Sequence, residues 1–267
     1  MSESTGTGGK GRGAQSGAPG SGKATCGKPG GGAPAKKSAK RSARKQEDRT
    51  ILINFVLDKS GSMDIIRSAT ISGFNEFLGD QQREGGDARM TLTLFDTAFA
   101  TVASAVPVRE VTPLDLETYA PDGCTALYDA IGHTMRITDD YVAAHHPDQV
   151  LFVIMTDGQE NASREFDQRR IFDLIKERQD SAGYEFIYLG ANQDAYAASQ
   201  QIGIAPGRAL NWDANPAAAA ATMTRMSYNV RGYRRMGAAQ LESDEFFSEE
   251  LERLGGTSYE EHKRKKK

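Results

Sequence analysis

The sequence has few of the features that mark secreted, membrane-bound or disulfide-stabilised proteins. Its 267 residues include two cysteines, too few for a disulfide framework and typical of a reducing compartment. The first residues lack the apolar segment of a secretory signal. No stretch approaches the roughly 18 consecutive apolar residues that span a bilayer. We therefore expect a soluble, cytoplasmic protein without a membrane span.

Large apolar side chains are almost absent from residues 1–49, which are mostly Gly, Ser, Ala, Lys and Arg. Such a segment cannot bury enough apolar surface to offset the entropy lost on ordering, so it is predicted to be a disordered arm. It holds 11 basic and 3 acidic residues, and residues 263–267 are all basic. The formal net charge of −3 therefore conceals a charge of −16 in residues 50–262. This pattern predicts an acidic globule between two basic tails.

From residue 50 onward the hydrophobic pattern predicts an α/β domain. The nearly continuous apolar run at 51–57 and the continuous run at 150–155 are typical of buried parallel strands. Further strands are predicted at 90–95, 99–106, 185–190 and 208–212, and helical periodicity is present over 66–78, 125–141, 164–180 and 194–202. Strands that alternate with helices indicate a doubly wound, mostly parallel central sheet with helices on both faces.

The segments after this domain have a different composition. A helix is predicted within 213–240, because Pro216 begins an Ala-rich run followed by apolar residues at helical spacing. We expect this amphipathic helix to pack on or next to the domain, with a partner-binding helix as the alternative. Residues 241–267 are predicted to be a disordered charged tail.

Two loops after predicted strands carry closely spaced oxygen-bearing side chains. Asp58, Ser60 and Ser62 follow the first apolar run, and Asp157 follows the run at 150–155. Doubly wound sheets bind ligands beyond the carboxyl ends of their strands. Two buried carboxylates there would repel each other and be costly to desolvate, and a cation resolves both problems. Neither loop contains His or Cys, so Mg²⁺ is predicted, with Mn²⁺ or Ca²⁺ as alternatives.

Three separated motifs resemble the von Willebrand factor type A family. In the family's order they are Asp58-Lys-Ser-Gly-Ser62, Gly123-Cys-Thr125-Ala-Leu127 and Thr156-Asp157-Gly158. The likeness covers residues 50–212 and implies the family's strand order, with one antiparallel edge strand. Cys124 departs from the pattern, since many relatives have Gly there.

The resemblance also implies a function for these residues. In this family the motifs form a metal-ion-dependent adhesion site, which here would consist of Asp58, Ser60, Ser62, Thr125 and Asp157. Its free coordination position would accept an Asp or Glu side chain of a partner protein. The resemblance is to intracellular prokaryotic members, which often act with AAA+ ATPases or in complex assembly. We therefore expect a protein-binding module that is not an enzyme.

Two other functions are compatible with parts of the sequence. An enzyme could use Asp58 and the metal for phosphoryl transfer or hydrolysis. However, Ser60 stands where haloacid-dehalogenase-type phosphatases need Asp, and no Walker loop or Gly-x-Ser-x-Gly motif is present. Alternatively, the basic run at 36–45 could contact nucleic acid weakly and without sequence preference, or simply keep the chain soluble.

Overall fold

The computed structural model describes residues 49–237 and 263–264. Apart from Arg49, Lys263 and Arg264, the predicted arm at 1–49 and the predicted tail at 241–267 lie outside the described residues, and so do residues 238–240. In the part that is described, no helix combines the length and the apolar character needed to cross a bilayer.

The described region contains one six-stranded sheet. In chain order its strands are β1 (Thr50–Asp58), β2 (Asp87–Phe95), β3 (Phe99–Pro107), β4 (Gln149–Thr156), β5 (Glu185–Ala191) and β6 (Ala209–Trp212). Their order in the sheet is β3-β2-β1-β4-β5-β6. All neighbours are parallel except β2 and β3, which form an antiparallel hairpin at one edge. The predicted doubly wound sheet with one antiparallel edge strand is confirmed.

Burial of the strands follows their position in the sheet. Every residue of the central strand β1 from Ile51 to Asp58 is buried, whereas exposed and buried positions are interspersed along the edge strand β3. A strand covered on both faces needs apolar side chains in both directions, which explains why the run at 51–57 is apolar at every position except Asn54.

Five α-helices cover the sheet: α1 (Arg67–Arg83), α2 (Leu127–His145), α3 (Gln168–Glu177), α4 (Ala195–Gln201) and α5 (Pro216–Met236). The helix predicted over 164–180 starts later than expected, at Gln168. The backbone N–H groups of Arg164, Glu165 and Phe166 donate to the Asp129 carboxylate, so this stretch is a loop. After α3 the chain continues into one π-helical segment, Arg178–Ala182.

Two hydrophobic cores lie on the two faces of the sheet. Helices α1 and α5 cover one face, where Phe55 of β1 packs edge-on against Phe74 and Phe77 at ring distances of 5.3 and 5.4 Å. Helices α2, α3 and α4 cover the other. Helix α5 belongs to the first core, because its apolar face is fully buried there through Met223, Met226, Val230 and Tyr233.

Candidate metal centre

The sheet order brings the two acidic loops together at the carboxyl ends of two neighbouring strands. Asp58 is the last residue of β1, and Asp157 directly follows β4. These strands are parallel neighbours with Leu57 opposite Met155, so both carboxylates lie beyond the carboxyl ends of adjacent strands. This is the crevice in which doubly wound sheets bind their ligands.

Asp58 is fully buried, and both of its carboxylate oxygens accept hydrogen bonds. The Ser60 backbone N–H donates to Oδ1 (2.6 Å) and the Thr156 hydroxyl to Oδ2 (2.5 Å). Burial nevertheless raises the pKa of Asp58 to about 6; these hydrogen bonds oppose the rise and the nearby charge of Asp157 adds to it. The carboxylate therefore lacks a compensating positive charge in its surroundings.

The two serines connect the first loop to the second. The Ser60 and Ser62 hydroxyl oxygens are 3.3 Å apart, and the Ser62 hydroxyl donates to Asp157 Oδ1 (2.6 Å). Ser60 is buried and Ser62 is exposed, so the pair extends from the interior to the surface. Burial raises the pKa of Asp157 too, although the Ser62 hydrogen bond opposes the rise.

Thr125 reaches the same place from a third stretch of chain. It is buried just before α2, and its backbone N–H donates to the Asn161 side-chain oxygen (2.9 Å). A Cβ atom placed on Gly158 would come within 2.9 Å of the Thr125 hydroxyl oxygen. Gly158 is therefore needed for the threonine to approach the loop that carries Asp157.

Several residues that support the site were not identified from the sequence. The Tyr119 hydroxyl donates to the Asp58 carbonyl oxygen (2.6 Å) from a buried position. Lys59 forms an ion pair with Asp96, at the end of β2. The Thr97 hydroxyl oxygen accepts from the Cys124 backbone N–H (2.9 Å). Asp96 and Thr97 directly follow β2, which lies next to β1. This position after a predicted strand was the one sequence feature that could have indicated them.

Cys124 lies on the rim of this site. Cys124 is exposed, and its thiol forms no disulfide. Before it, Gly123 adopts a φ of +69°, and a Cβ atom there would lie 2.5 Å from the Thr97 hydroxyl oxygen. Position 123 therefore requires glycine. Position 124, where the resembled pattern often has Gly, holds Cys in this chain.

The donors at this edge fit a hard divalent cation. Hydrogen bonds link the Ser62 hydroxyl to Asp157 and to Ser60, and the Ser60 backbone to Asp58, while the Thr125 hydroxyl lies beside Gly158. All of these side chains offer oxygen. Within residues 49–237 and 263–264, no group of three or more His, Cys, Asp or Glu side chains could hold a metal, so the predicted site depends on its hydroxyl ligands. A cation would supply the positive charge that Asp58 lacks, and oxygen ligands suit Mg²⁺, Mn²⁺ or Ca²⁺. That these five residues bind metal remains a prediction.

A second buried carboxylate holds the loop after Asp157 against α2. Asp129 accepts from the backbone N–H groups of residues 164–166 at 2.8–2.9 Å. Burial acts to raise its pKa, but these hydrogen bonds and His133 act the other way, and the net pKa lies below the usual value. Glu160 assists by accepting from the Tyr128 N–H (2.9 Å) and the Ser163 hydroxyl (2.7 Å).

The sequence matches no family model and no curated protein. Solved structures do match the fold. The pilus adhesin SpaC from Lactobacillus rhamnosus GG is 16% identical with a TM-score of 0.54, and the match covers 70% of this chain and 30% of that one. For the vWF domain of the type V pili tip protein Mfa5 from Porphyromonas gingivalis, the identity is 11%, the TM-score 0.50 and the coverage 71% and 98%.

Proximal thread matrix protein 1 from the mussel byssus also matches. It is 13% identical with a TM-score of 0.48, and the match covers 69% of this chain and 46% of that one. The matched region thus spans less than half of the mussel protein and of SpaC. At these identities, the matches to SpaC and Mfa5 show a common fold.

Proposed function

Because this chain has the fold of a von Willebrand factor type A domain, we propose that it is a protein-binding module that uses a divalent cation. Asp58, Ser60, Ser62, Thr125 and Asp157 hold the ion, directly or through water. The ion is Mg²⁺, with Mn²⁺ or Ca²⁺ as alternatives. An Asp or Glu side chain of a partner protein takes the remaining coordination position.

One observation carries this proposal: a fully buried carboxylate, Asp58, is connected through Ser60 and Ser62 to a second carboxylate, Asp157, from a distant stretch of chain. Neutral hydroxyls and two carboxylates leave a divalent cation short of negative charge, which favours an additional carboxylate from outside. The names of two proteins with the same fold, a pilus adhesin and a pilus tip protein, are compatible with a role in binding.

We propose binding rather than catalysis because Asp58 is poorly placed as a nucleophile. Both of its oxygens accept hydrogen bonds and its side chain is inaccessible. A nucleophile needs a free oxygen and an approach path to the substrate. Lys59, the basic side chain next to it in sequence, is already paired with Asp96.

The partner and the location are proposed on narrower grounds. A cytoplasmic location is proposed from the low cysteine content of the sequence, and cell fractionation tests it. An AAA+ ATPase or an assembly complex is the class of partner that the family resemblance implies. Weak nucleic-acid contact through residues 36–45 is the alternative that lies outside the described residues, and a deletion of residues 1–49 tests it.

The decisive experiment measures Mg²⁺ binding by the full chain and then captures partners from the source cell with Mg²⁺ or with chelator. The Ser62→Ala variant should weaken Mg²⁺ binding by about tenfold, because an exposed ligand is lost with little effect on the fold. Proteins captured in Mg²⁺ should be lost in chelator, and partner Asp→Asn or Glu→Gln changes should abolish their capture.

Ser68→Ala is the matched control, since Ser68 is exposed on α1 outside the ligand set. It should behave as the unmodified chain does. Equal Mg²⁺ affinity in both serine variants, or capture that survives chelation, would contradict the proposed function.

A further inference from the structure

A cavity of about 370 Å³ opens next to the candidate metal centre. It lies between the start of α2, the loop after β4 and helix α4, and its lining includes Leu127, Gln159 and Gln193. Leu127 is two residues after Thr125, and Gln159 is two residues after Asp157. The Gln193 amide donates to the Gly158 carbonyl oxygen (3.1 Å). The cavity and the metal centre are therefore neighbouring parts of one surface.

The cavity is polar and its charge has one sign. Among the described residues that line it, two are acidic and none is Lys, Arg or His. The polar groups of the lining come from Glu160, Asp194, three glutamines (Gln159, Gln193 and Gln201) and two tyrosines (Tyr128 and Tyr188). At neutral pH the two carboxylates give the lining a formal charge of −2.

The acidic groups are held in place by the backbone. Glu160 accepts from the N–H groups of Tyr128, Ala162 and Ser163, at 2.7–2.9 Å, and Asp194 caps α4 by accepting from the Ala197 N–H (3.0 Å). Together with the Ser163 hydroxyl, these donors occupy most of the acceptor capacity of Glu160 and fix both carboxylates in place, so their contribution to the cavity is an attraction between charges at short range.

One tyrosine of the lining, Tyr128, lies close enough to Glu160 to experience its negative charge. Burial raises the pKa of Tyr128, and the Glu160 carboxylate raises it further. Tyr128 is half-buried, so part of its residue remains accessible to a ligand. An aromatic ring near carboxylates and amide oxygens favours cations, which interact with the ring and accept no hydrogen bonds themselves.

We infer that this cavity binds the cationic side chain of an Arg or Lys from the partner, close to the acidic residue that the metal takes. Its role in recognising that partner rests on the proposed function, whereas binding of the cation itself does not. Arg fits best, because a planar guanidinium can donate to several carboxylate and amide oxygens at once. The partner would thus present an acidic and a basic residue together.

The first experiment tests the cavity without metal. Side-chain amide signals of the full chain are followed by NMR in chelator while N-acetyl-arginine N-methylamide is added, and the uncharged citrulline analogue is the comparison. The signals of Gln159, Gln193 and Gln201 should shift and saturate with the arginine compound, and the citrulline compound should bind about tenfold more weakly. Equal shifts with both compounds, or no shifts, would overturn the inference.

Neighbouring glutamines on α4 provide a matched pair of variants. Gln201 lines the cavity and Gln200 does not, and both are exposed at the end of the helix. The Gln201→Lys change places a cation at the cavity and should weaken binding of the arginine compound by about tenfold, while Gln200→Lys should leave it unchanged. If both variants bind the arginine compound equally well, the cavity is not its site.

A second experiment separates this inference from the proposed function. Peptides carrying one Asp and either Arg or citrulline, at varied spacing, are tested in Mg²⁺ and in chelator. Binding that prefers Arg but does not need Mg²⁺ would overturn the proposed function and support the cavity. Binding that needs Mg²⁺ but shows no preference for Arg at any spacing would remove the cavity from partner recognition.

Discussion

Asp58 and Asp129 are both buried carboxylates at the same end of the sheet, with 0% and 8% of their surface exposed, yet their pKa values shift in opposite directions. Asp129 accepts three backbone N–H groups from a single loop, and these outweigh the effect of burial. Asp58 is more deeply buried, and the hydrogen bonds from Ser60 and Thr156 do not offset that burial, to which the charge of Asp157 adds.

We expect this difference to separate a structural carboxylate, Asp129, from a proposed metal ligand, Asp58. The chain itself neutralises Asp129 by oriented dipoles, so removing this carboxylate should damage the fold. The chain leaves Asp58 short of positive charge, so removing its charge should damage ion binding and leave the fold intact. The predictions below test this separation in order of expected effect.

The largest effect is expected from Asp129→Ala. This change leaves three backbone N–H groups without their acceptor, of which that of the buried Phe166 cannot easily reach water. The free energy of unfolding in chelator should fall by about 3 kcal/mol, measured by urea denaturation. The control Asp173→Ala, at an exposed position of α3, should change it by less than about 0.5 kcal/mol.

The difference in unfolding free energy between the unmodified chain and Asp129→Ala should depend on pH. Because the folded-state pKa of Asp129 lies below the ordinary value of 3.8 for an aspartate, the stabilisation by this carboxylate is complete above that value and disappears as the pH falls through the folded-state pKa. The unfolding free energies of the unmodified chain and of Asp129→Ala should therefore converge in acid below about pH 4. A constant difference down to pH 2 would show that the carboxylate charge is not the cause.

The next largest effect is expected from Asp58→Asn in the presence of metal. At a Mg²⁺ concentration of about 100 times Kd, the unmodified chain should gain about 2.7 kcal/mol of unfolding free energy and the variant none. In chelator, the unfolding free energy of the variant should lie at most about 1 kcal/mol below that of the unmodified chain, since the change removes an uncompensated buried charge.

Asp64→Asn is the matched control for this change. Asp64 lies two residues after Ser62 and is exposed, and the sequence prediction does not include it among the ligands. Its Mg²⁺ stabilisation should match that of the unmodified chain within about 0.5 kcal/mol. If Asp58→Asn and Asp64→Asn retain the same stabilisation, Asp58 has no special part in binding the ion.

The smallest effect is expected from Asp96→Asn. The amide can still accept from the Ala98 N–H, which donates to Asp96 Oδ1 (2.8 Å), but the ion pair with Lys59 is lost. The released ammonium group would repel the cation, and Mg²⁺ affinity should fall about threefold in calorimetric titrations. In Lys59→Gln the repelling charge is absent, so affinity should stay the same or increase. A weaker affinity in Lys59→Gln would show that the ion pair acts by holding the loop.

Much of the fold was predictable because its signals are local. The apolar runs at 51–57 and 150–155 mark strands that are buried on both faces, and the hairpin at β2 and β3 is short in sequence. Helix boundaries were less accurate. The helix predicted over 164–180 begins only at Gln168, because Asp129, some 35 residues earlier, holds residues 164–166 as a loop against α2.

The position of most candidate ligands was predictable for the same reason, although metal binding itself is untested. Asp58, Ser60, Ser62 and Asp157 lie at or just after strand ends, where sequence spacing is informative, and the identity of these residues favours a hard cation over zinc. Thr125 instead precedes α2. The roles of Thr156, Tyr119 and Asp96 were not predictable, since each contacts a loop that is distant in the sequence.

The amino-acid sequence by itself determined the order of strands and helices, the acidic ends of β1 and β4, and a site made of oxygen ligands, because these depend on residue type and short-range spacing. Tertiary packing alone decided which carboxylate is neutralised by backbone dipoles and which is left with excess charge, and it alone created the cavity beside them. Burial and the direction of N–H groups depend on segments that meet only when the chain is folded.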